Sequence, residues 1–288
     1  MRWTSRSLPR GARVVCFSDV HGNMPALEAV LEAARPAEAD LVIVHGDIVN
    51  RGPRSDQAWD RIAGLVDPRW LLTSGNHERY VRAHLAGPAH DGVMAEVHRT
   101  SAWTFAQLGG RVAALEGLLD GVMLESPGLP EIRVVHASLV ADDRGLSPRS
   151  PEAHLRTADG PWGMLIVGHV HRTYDFRTQG DVRVVNAGSV GSACDGIPRA
   201  GWIEIEADPS GWSVRRFRVE YDRSATERDY QTSGFLTEAG PVARLIHREW
   251  QLARPTVRPW FEQELEPVKR GERSLADSVE TFLQSWEG

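Results

Sequence analysis

Aspartate, histidine and asparagine recur in this chain at intervals that could build a metal site. Asp19-Val20-His21-Gly22-Asn23, Gly46-Asp47-Ile48-Val49-Asn50-Arg51-Gly52, Gly75-Asn76-His77-Glu78, His136 and Gly168-His169-Val170-His171 each follow a short apolar run. Any one of these is a weak signal, since a lone strand-end histidine is more often a satisfied polar residue than a ligand. Five in succession are a different matter. Asp19, His21, Asp47, Asn76, His136, His169 and His171 are more donors than the four of a tetrahedral site, and one bridging carboxylate would divide them evenly between two divalent cations. Imidazole, carboxylate and amide without thiolate suit manganese, iron, zinc or cobalt and not a soft-metal or iron–sulfur site. Two such ions about 3.5–4 Å apart can hold a bridging hydroxide and clamp the oxygens of an in-line phosphoryl displacement.

The elements that must position these residues read as an α/β fold. Arg13–Ser18, Leu41–Val44 and Trp70–Thr73 are strand-length apolar runs, separated by helical patterns over Pro25–Ala33 and Pro53–Val66. Such β-α-β units imply parallel strands, whose carboxyl ends are where function collects in an open α/β sheet. Glu78–Leu119 reads as helical. Strand patterns then cover Gly121–Glu125, Ile132–His136, Met164–Val167, Tyr174–Arg177, Val182–Val185, Trp202–Glu206 and Trp212–Val219. Turn signals at Gln179-Gly180-Asp181 and Asp208-Pro209-Ser210-Gly211 predict two antiparallel hairpins, hence two packed sheets. Residues 1–222 form the expected catalytic domain, and 223–288 a helical extension that caps the site or forms an interface.

Composition excludes several alternatives. The 288 residues, 41% hydrophobic and 25% charged, suit a soluble globular protein. Of the 33 basic residues only Lys269 is lysine, which leaves no candidate for a Schiff base or a P-loop lysine in the first 268 positions. A net charge of -6 shows no footprint for long nucleic acid, and with no basic stripe a nuclease reading is weak. Two cysteines, Cys16 and Cys194, are too few for a disulfide framework and read as buried thiols. With no apolar leader and no eighteen-residue apolar stretch, the expected location is cytoplasmic, with no membrane partner.

The ordered motifs D-x-H, G-D-x-x-x-R-G, G-N-H-E, strand-end His and G-H-x-H resemble the signature of the calcineurin-like metallophosphoesterases over roughly residues 13–222. The run Phe17–Asn23 followed by Pro25–Leu31 resembles the YfcE-like bacterial and archaeal branch. The resemblance implies a four-layer fold, a β-sandwich of two mixed sheets flanked by helices. It implies Asp19, His21 and His171 on a first metal, Asn76, His136 and His169 on a second, and Asp47 bridging them. The ions would be two divalent cations, manganese foremost, with iron, zinc, cobalt or nickel as options. It makes His77 the general acid that protonates the leaving oxygen and Arg51 the phosphate contact. Asn23, Asn50 and Asn186 fall to substrate binding or ligand support; Asn186-Ala187-Gly188-Ser189 stands where the family has an Asn-Pro-Gly-Ser turn.

The implied activity is hydrolysis of small phosphodiesters or phosphomonoesters, cyclic nucleotides included. A protein phosphatase or dinucleoside polyphosphate hydrolase would share the site; Asn50, where the phosphatase branch has an aspartate paired with the catalytic histidine, weighs against the former. A non-catalytic metal-binding scaffold would be expected to have lost ligands, and all are present. His45, His84, His90, His98 and His154 read as structural, and Glu78 as a hydrogen-bond acceptor and not a base. Trp250, Trp260, Phe261, Phe282 and Trp286 either dock the extension on the body or form a homo-oligomer interface.

Overall fold

The computed structural model describes residues 2–208 and 210–286. In chain order the strands are β1 (Trp3–Ser7), β2 (Arg13–Phe17), β3 (Leu41–His45), β4 (Trp70–Thr73), β5 (Gly121–Glu125), β6 (Ile132–Val134), β7 (Met164–Val167), β8 (Thr173–Arg177), β9 (Arg183–Ala187), β10 (Ala200–Asp208) and β11 (Gly211–Val219). The helices are α1 (Met24–Ala34), α2 (Ser55–Ala63), α3 (Asn76–Arg82), α4 (Gly92–Val97), α5 (Arg99–Leu108), α6 (Glu152–Leu155), α7 (Arg223–Thr232), α8 (Phe235–Glu238), α9 (Val242–Leu252), α10 (Val257–Lys269) and α11 (Leu275–Ser285).

Two mixed sheets follow, in the orders β1-β5-β6-β7-β9-β8 and β11-β10-β2-β3-β4. Strands β2, β3 and β4 pair in parallel, as do β6, β7 and β9, while β8–β9 and β10–β11 are the antiparallel hairpins that the turn residues predict. Alternation along each strand supplies both faces. Val14 and Cys16 of β2 and Leu41 and Ile43 of β3 point between the sheets, against Val122, Val134, Ile166 and Val185. Val15, Phe17, Val42 and Val44 point outward onto Leu27, Val30, Ala58 and Ile62 of α1 and α2. Burial on both faces is why these strands read as unbroken apolar runs. Leu165, Val167 and Val184 on the outer face of the other sheet are covered by Leu146, Leu155 and Trp162.

Three details depart from the sequence expectation. Strand β1 has no apolar run to announce it: it is a half-exposed edge, paired in parallel to β5 from Trp3 opposite Gly121, and Gly121 leaves room for the Trp3 ring. Helix α2 ends at Ala63 before Gly64, short of Val66. Residues Gly109–Gly117 wind as a 3-10 helix.

Helices α7–α11 share an apolar cluster with α4 and α5, in which Trp250, Trp260 and Phe282 are buried with Val97 and Phe235, while Phe261 and Trp286 pack at its margin. The tail aromatics therefore dock the extension on the body. Polar ties reinforce this: Thr226 donates to Asn23 Oδ1 (2.9 Å) and Arg54 to Asp229 (2.8 Å). Among the described residues no helix is long and apolar enough to cross a membrane.

Candidate active site

The carboxyl ends of β2, β3, β4, β6 and β7 open at one end of the sandwich, and their loops carry the motif residues. Backbone bonds lace these loops together: Asp19 N–H donates to Gly46 O (3.1 Å), His21 N–H to Asp47 O (3.0 Å), Gly191 N–H to Asp19 O (2.9 Å) and Gly168 N–H to His136 O (2.7 Å). Asp19, His21, Asp47, Asn50, Arg51, His169 and His171 all have φ between 49° and 67°, the left-handed region that most residues avoid. Asp, Asn and His tolerate it best, and such strain persists only where the surroundings over-determine it. Close approach explains two motif glycines. A Cβ on Gly52 would overlap His21 O, and one on Gly75 would overlap Asp47 Oδ1.

All seven expected donors come together in two groups sharing a buried centre. In the first, His171 Nε2 lies 3.2 Å from Asp19 Oδ1 and 3.0 Å from His21 Nε2. In the second, Asn76 Oδ1 lies 2.9 Å from His169 Nδ1 and 3.1 Å from His136 Nε2. Asp47 stands between them. Its Oδ1 accepts the His77 N–H (2.9 Å), which leaves Oδ2 facing His136 Nε2 at 3.1 Å and His21 Nε2 at 3.8 Å.

The donors fit divalent cations by their protonation geometry. His136 Nδ1 donates to His45 O (3.0 Å) and His21 Nδ1 to Asn50 O (3.2 Å), so each ring turns its Nε2 into the cluster, where a cation can take the lone pair once any proton on it is displaced. Nitrogen lone pairs and carboxylate oxygens converging at about 3 Å repel unless a proton or a metal cation lies among them. Electrostatics carry the same signature. Burial would raise Asp19 and Asp47, but the surrounding histidines hold Asp19 well below the usual carboxylate range and Asp47 at about 2. Burial would lower His136, but Asp47 and Asp19 raise it to about 10, whereas burial and the charge of His136 hold His169 at about 4.

The remaining expected residues divide. Asn50 reaches His77: its amide N lies 2.9 Å from His77 Nδ1 and from Ser101 Oγ, while Arg51 N–H (2.9 Å) and Thr104 Oγ1 (3.3 Å) donate to its Oδ1. Those two donors assign the NH2 to the histidine side, so His77 Nδ1 accepts and the proton of the neutral ring sits on Nε2. Enclosure, with the charges of His21 and Arg51, holds His77 well below the usual imidazole value despite Asp47. Asn186 braces a donor loop, donating to Gly168 O (2.6 Å) and accepting Gly188 N–H (2.8 Å). Asn23 does not enter the cluster. It caps α1 by accepting Ala26 N–H (3.2 Å) and holds Gly191 O (2.9 Å), one link behind Asp19. Glu78 is fully buried and accepts the N–H groups of Asp47 (2.8 Å), Ile48 (2.7 Å), Val49 (3.1 Å) and Gly75 (2.8 Å).

Arg51 is placed beside the cluster but is not free: its guanidinium is ion-paired with Glu249 of α9. Cys194 Sγ lies 3.9 Å from His171 Nδ1. Sequence reasoning passed over Glu249, though a signal existed. Val242, Leu245, Ile246, Glu249 and Trp250 are the buried stripe of α9, and a carboxylate on an apolar stripe needs a partner.

Two parallel-strand fans meet over two histidine–carboxylate clusters, each a group that could hold a metal ion. The chain belongs to the calcineurin-like phosphoesterase family, a class of phosphoester hydrolases, whose family model matches residues 12–173. The fold is similar to that of a metallophosphoesterase from Sphaerobacter thermophilus, with TM-score 0.64 and 25% identity over 85% of this chain and 100% of the other. It is similar also to a hypothetical protein from Pyrococcus horikoshii, with TM-score 0.66 and 22% identity over 81% of this chain and 97% of the other. A stretch of 43 residues, 15% of this chain, is 40% identical to phosphodiesterase YfcE of Escherichia coli K12, of which it spans 23%.

Proposed function

We propose that this protein hydrolyses small phosphodiesters and phosphomonoesters with the aid of two divalent cations, manganese foremost. The observation that carries the reading is the single carboxylate oxygen, Asp47 Oδ2, facing a histidine of each donor group. Asp19, His21 and His171 would hold one ion and Asn76, His136 and His169 the other, with Asp47 shared. Such a pair, when bound, acidifies water and neutralises phosphoryl charge.

The chain's own groups supply the rest. Arg51 offers guanidinium N–H donors to the phosphoryl oxygens. His77, with Nδ1 occupied by the Asn50 amide, presents Nε2–H as the hydrogen-bond and proton donor for the leaving oxygen. Residues 1–222 would form the catalytic unit and 223–288 a cap beside it.

Purified protein supplied with manganese should cleave bis-p-nitrophenyl phosphate or p-nitrophenyl phosphate. Failure on both with manganese, iron, zinc, cobalt and nickel would sink the proposal. His77→Ala should slow esters of poor leaving groups at least about tenfold more than p-nitrophenyl esters, without loss of metal content. Equal losses would remove His77 from that role.

A further inference from the structure

The ion pair between Arg51 and Glu249 joins the site to the far end of the chain. Their side chains are 15% and 4% exposed. The carboxylate is fixed from behind, where Glu249 Oε2 accepts the N–H groups of Thr256 (2.8 Å) and Val257 (3.2 Å) at the start of α10. It also stands close to the metal-type donors: single ligand atoms of His171, Cys194 and Glu249 all lie within 4.8 Å of one another. The trio is not a third cation site, because both oxygens of Glu249 are already engaged, one by a guanidinium and one by two amides.

An arginine paired in this way keeps hydrogen-bond donors but presents no net charge. Its Nε is buried and has no partner among the described residues. A phosphodiester carries one negative charge, and a phosphomonoester carries nearly two above its second pKa near 6. The extra charge of the monoester would therefore meet a dipole, with a carboxylate close behind it, where a bare guanidinium would have attracted it.

We propose that Glu249 is a positioning residue which neutralises Arg51 and so makes the site favour monoanionic phosphodiesters over dianionic phosphomonoesters. The inference rests on the phosphoesterase reading above, with Arg51 as the phosphate contact. At an effective dielectric constant near 20, one unit charge about 12 Å from another alters its binding by about tenfold and a closer charge by more, so tenfold is the lower bound for Glu249.

The test compares kcat/KM for p-nitrophenyl phosphate and bis-p-nitrophenyl phosphate in the manganese-loaded full chain and its Glu249→Gln variant. The glutamine retains a carbonyl for the Thr256 and Val257 amides but loses the charge. The monoester-to-diester ratio should rise at least about tenfold. An unchanged ratio in a variant that melts like the parent overturns the proposal, since a merely structural role would lower both rates together. The unaltered protein gives a second reading that does not depend on the variant folding. The monoanionic methyl ester of phenylphosphonate should inhibit at least as well as dianionic phenylphosphonate at alkaline pH, and a dianion about tenfold stronger contradicts the inference. Cleavage of neither ester by the parent, with any of the five metals, is a distinct result: it removes the phosphoesterase reading itself, and this inference with it.

Discussion

Glu78→Gln isolates the residue that holds two donor loops in register. The Glu78 carboxylate accepts four backbone N–H groups, two on each oxygen: Ile48 and Val49 on Oε1, Asp47 and Gly75 on Oε2. Burial and the nearby charge of Asp47 oppose its ionisation and the four donors favour it. A protonated carboxyl would set an O–H against an N–H, so the bonds themselves require the carboxylate. Glutamine keeps the shape, but whichever way its amide turns, an NH2 faces two backbone N–H groups. Each orphaned buried donor costs about 1–3 kcal/mol, so the substitution should cost about 4 kcal/mol. For a chain of this size that is a fall in Tm of roughly 10 °C. Thermal or urea unfolding with a chelator at about pH 8 measures it, with the exposed Glu32→Gln as a control expected within about 0.5 kcal/mol of the parent. Metal affinity should fall as well, since Asp47 and Asn76 lie on the two loops that Glu78 joins. A Glu78→Gln protein as stable as the control would mean that Glu78 is protonated and that the four-bond clamp is wrong.

Asn50→Asp would replace the amide donor at His77 Nδ1 by a carboxylate that stabilises the imidazolium. The His77 pKa should rise, moving the limb of the pH–rate profile that it governs to higher pH and improving turnover of alkyl leaving groups; an unchanged profile would separate Asn50 from proton supply. Metal loading should release protons. In metal-free protein His136, held at about 10, is charged at neutral pH, and a cation can take its Nε2 only by displacing that proton. The sign is that affinity weakens as pH falls below 10, by about tenfold per unit from this group. Calorimetric titration in buffers of different ionisation enthalpy should find about one proton released from it near pH 8, and none released would contradict the assignment.

The donor set was legible because its chemistry is local. The seven residues lie in loops that directly follow apolar runs, and most of those runs are strands buried on both faces, so the order of motifs already implied five strand ends. The motif glycines Gly52 and Gly75 stood in the sequence only as letters of the motifs, and the fold shows why they are glycine: loops there come too close for a Cβ. Contacts between distant segments left little trace. Strand β1 is a polar edge whose existence depends on β5, about a hundred residues later. Cys194 looks like any thiol in a small-residue loop until the fold sets it against His171. Glu249 is one acid among many in a charged tail, distinguished only by its place on the apolar stripe of α9.

The amino-acid sequence by itself determined the chemistry on offer, an oxygen- and nitrogen-rich donor set with an arginine and a histidine beside it, because residue type and strand-end position are properties of short segments. Tertiary structure alone decided how those groups are set. It placed Asp47 Oδ2 between the two clusters, turned the Asn50 amide toward His77, and brought a carboxylate from α9 onto Arg51 across nearly two hundred residues. The physical reason is that charge pairing and hydrogen-bond direction depend on distances of a few ångströms between segments far apart in the chain, and only packing fixes those distances.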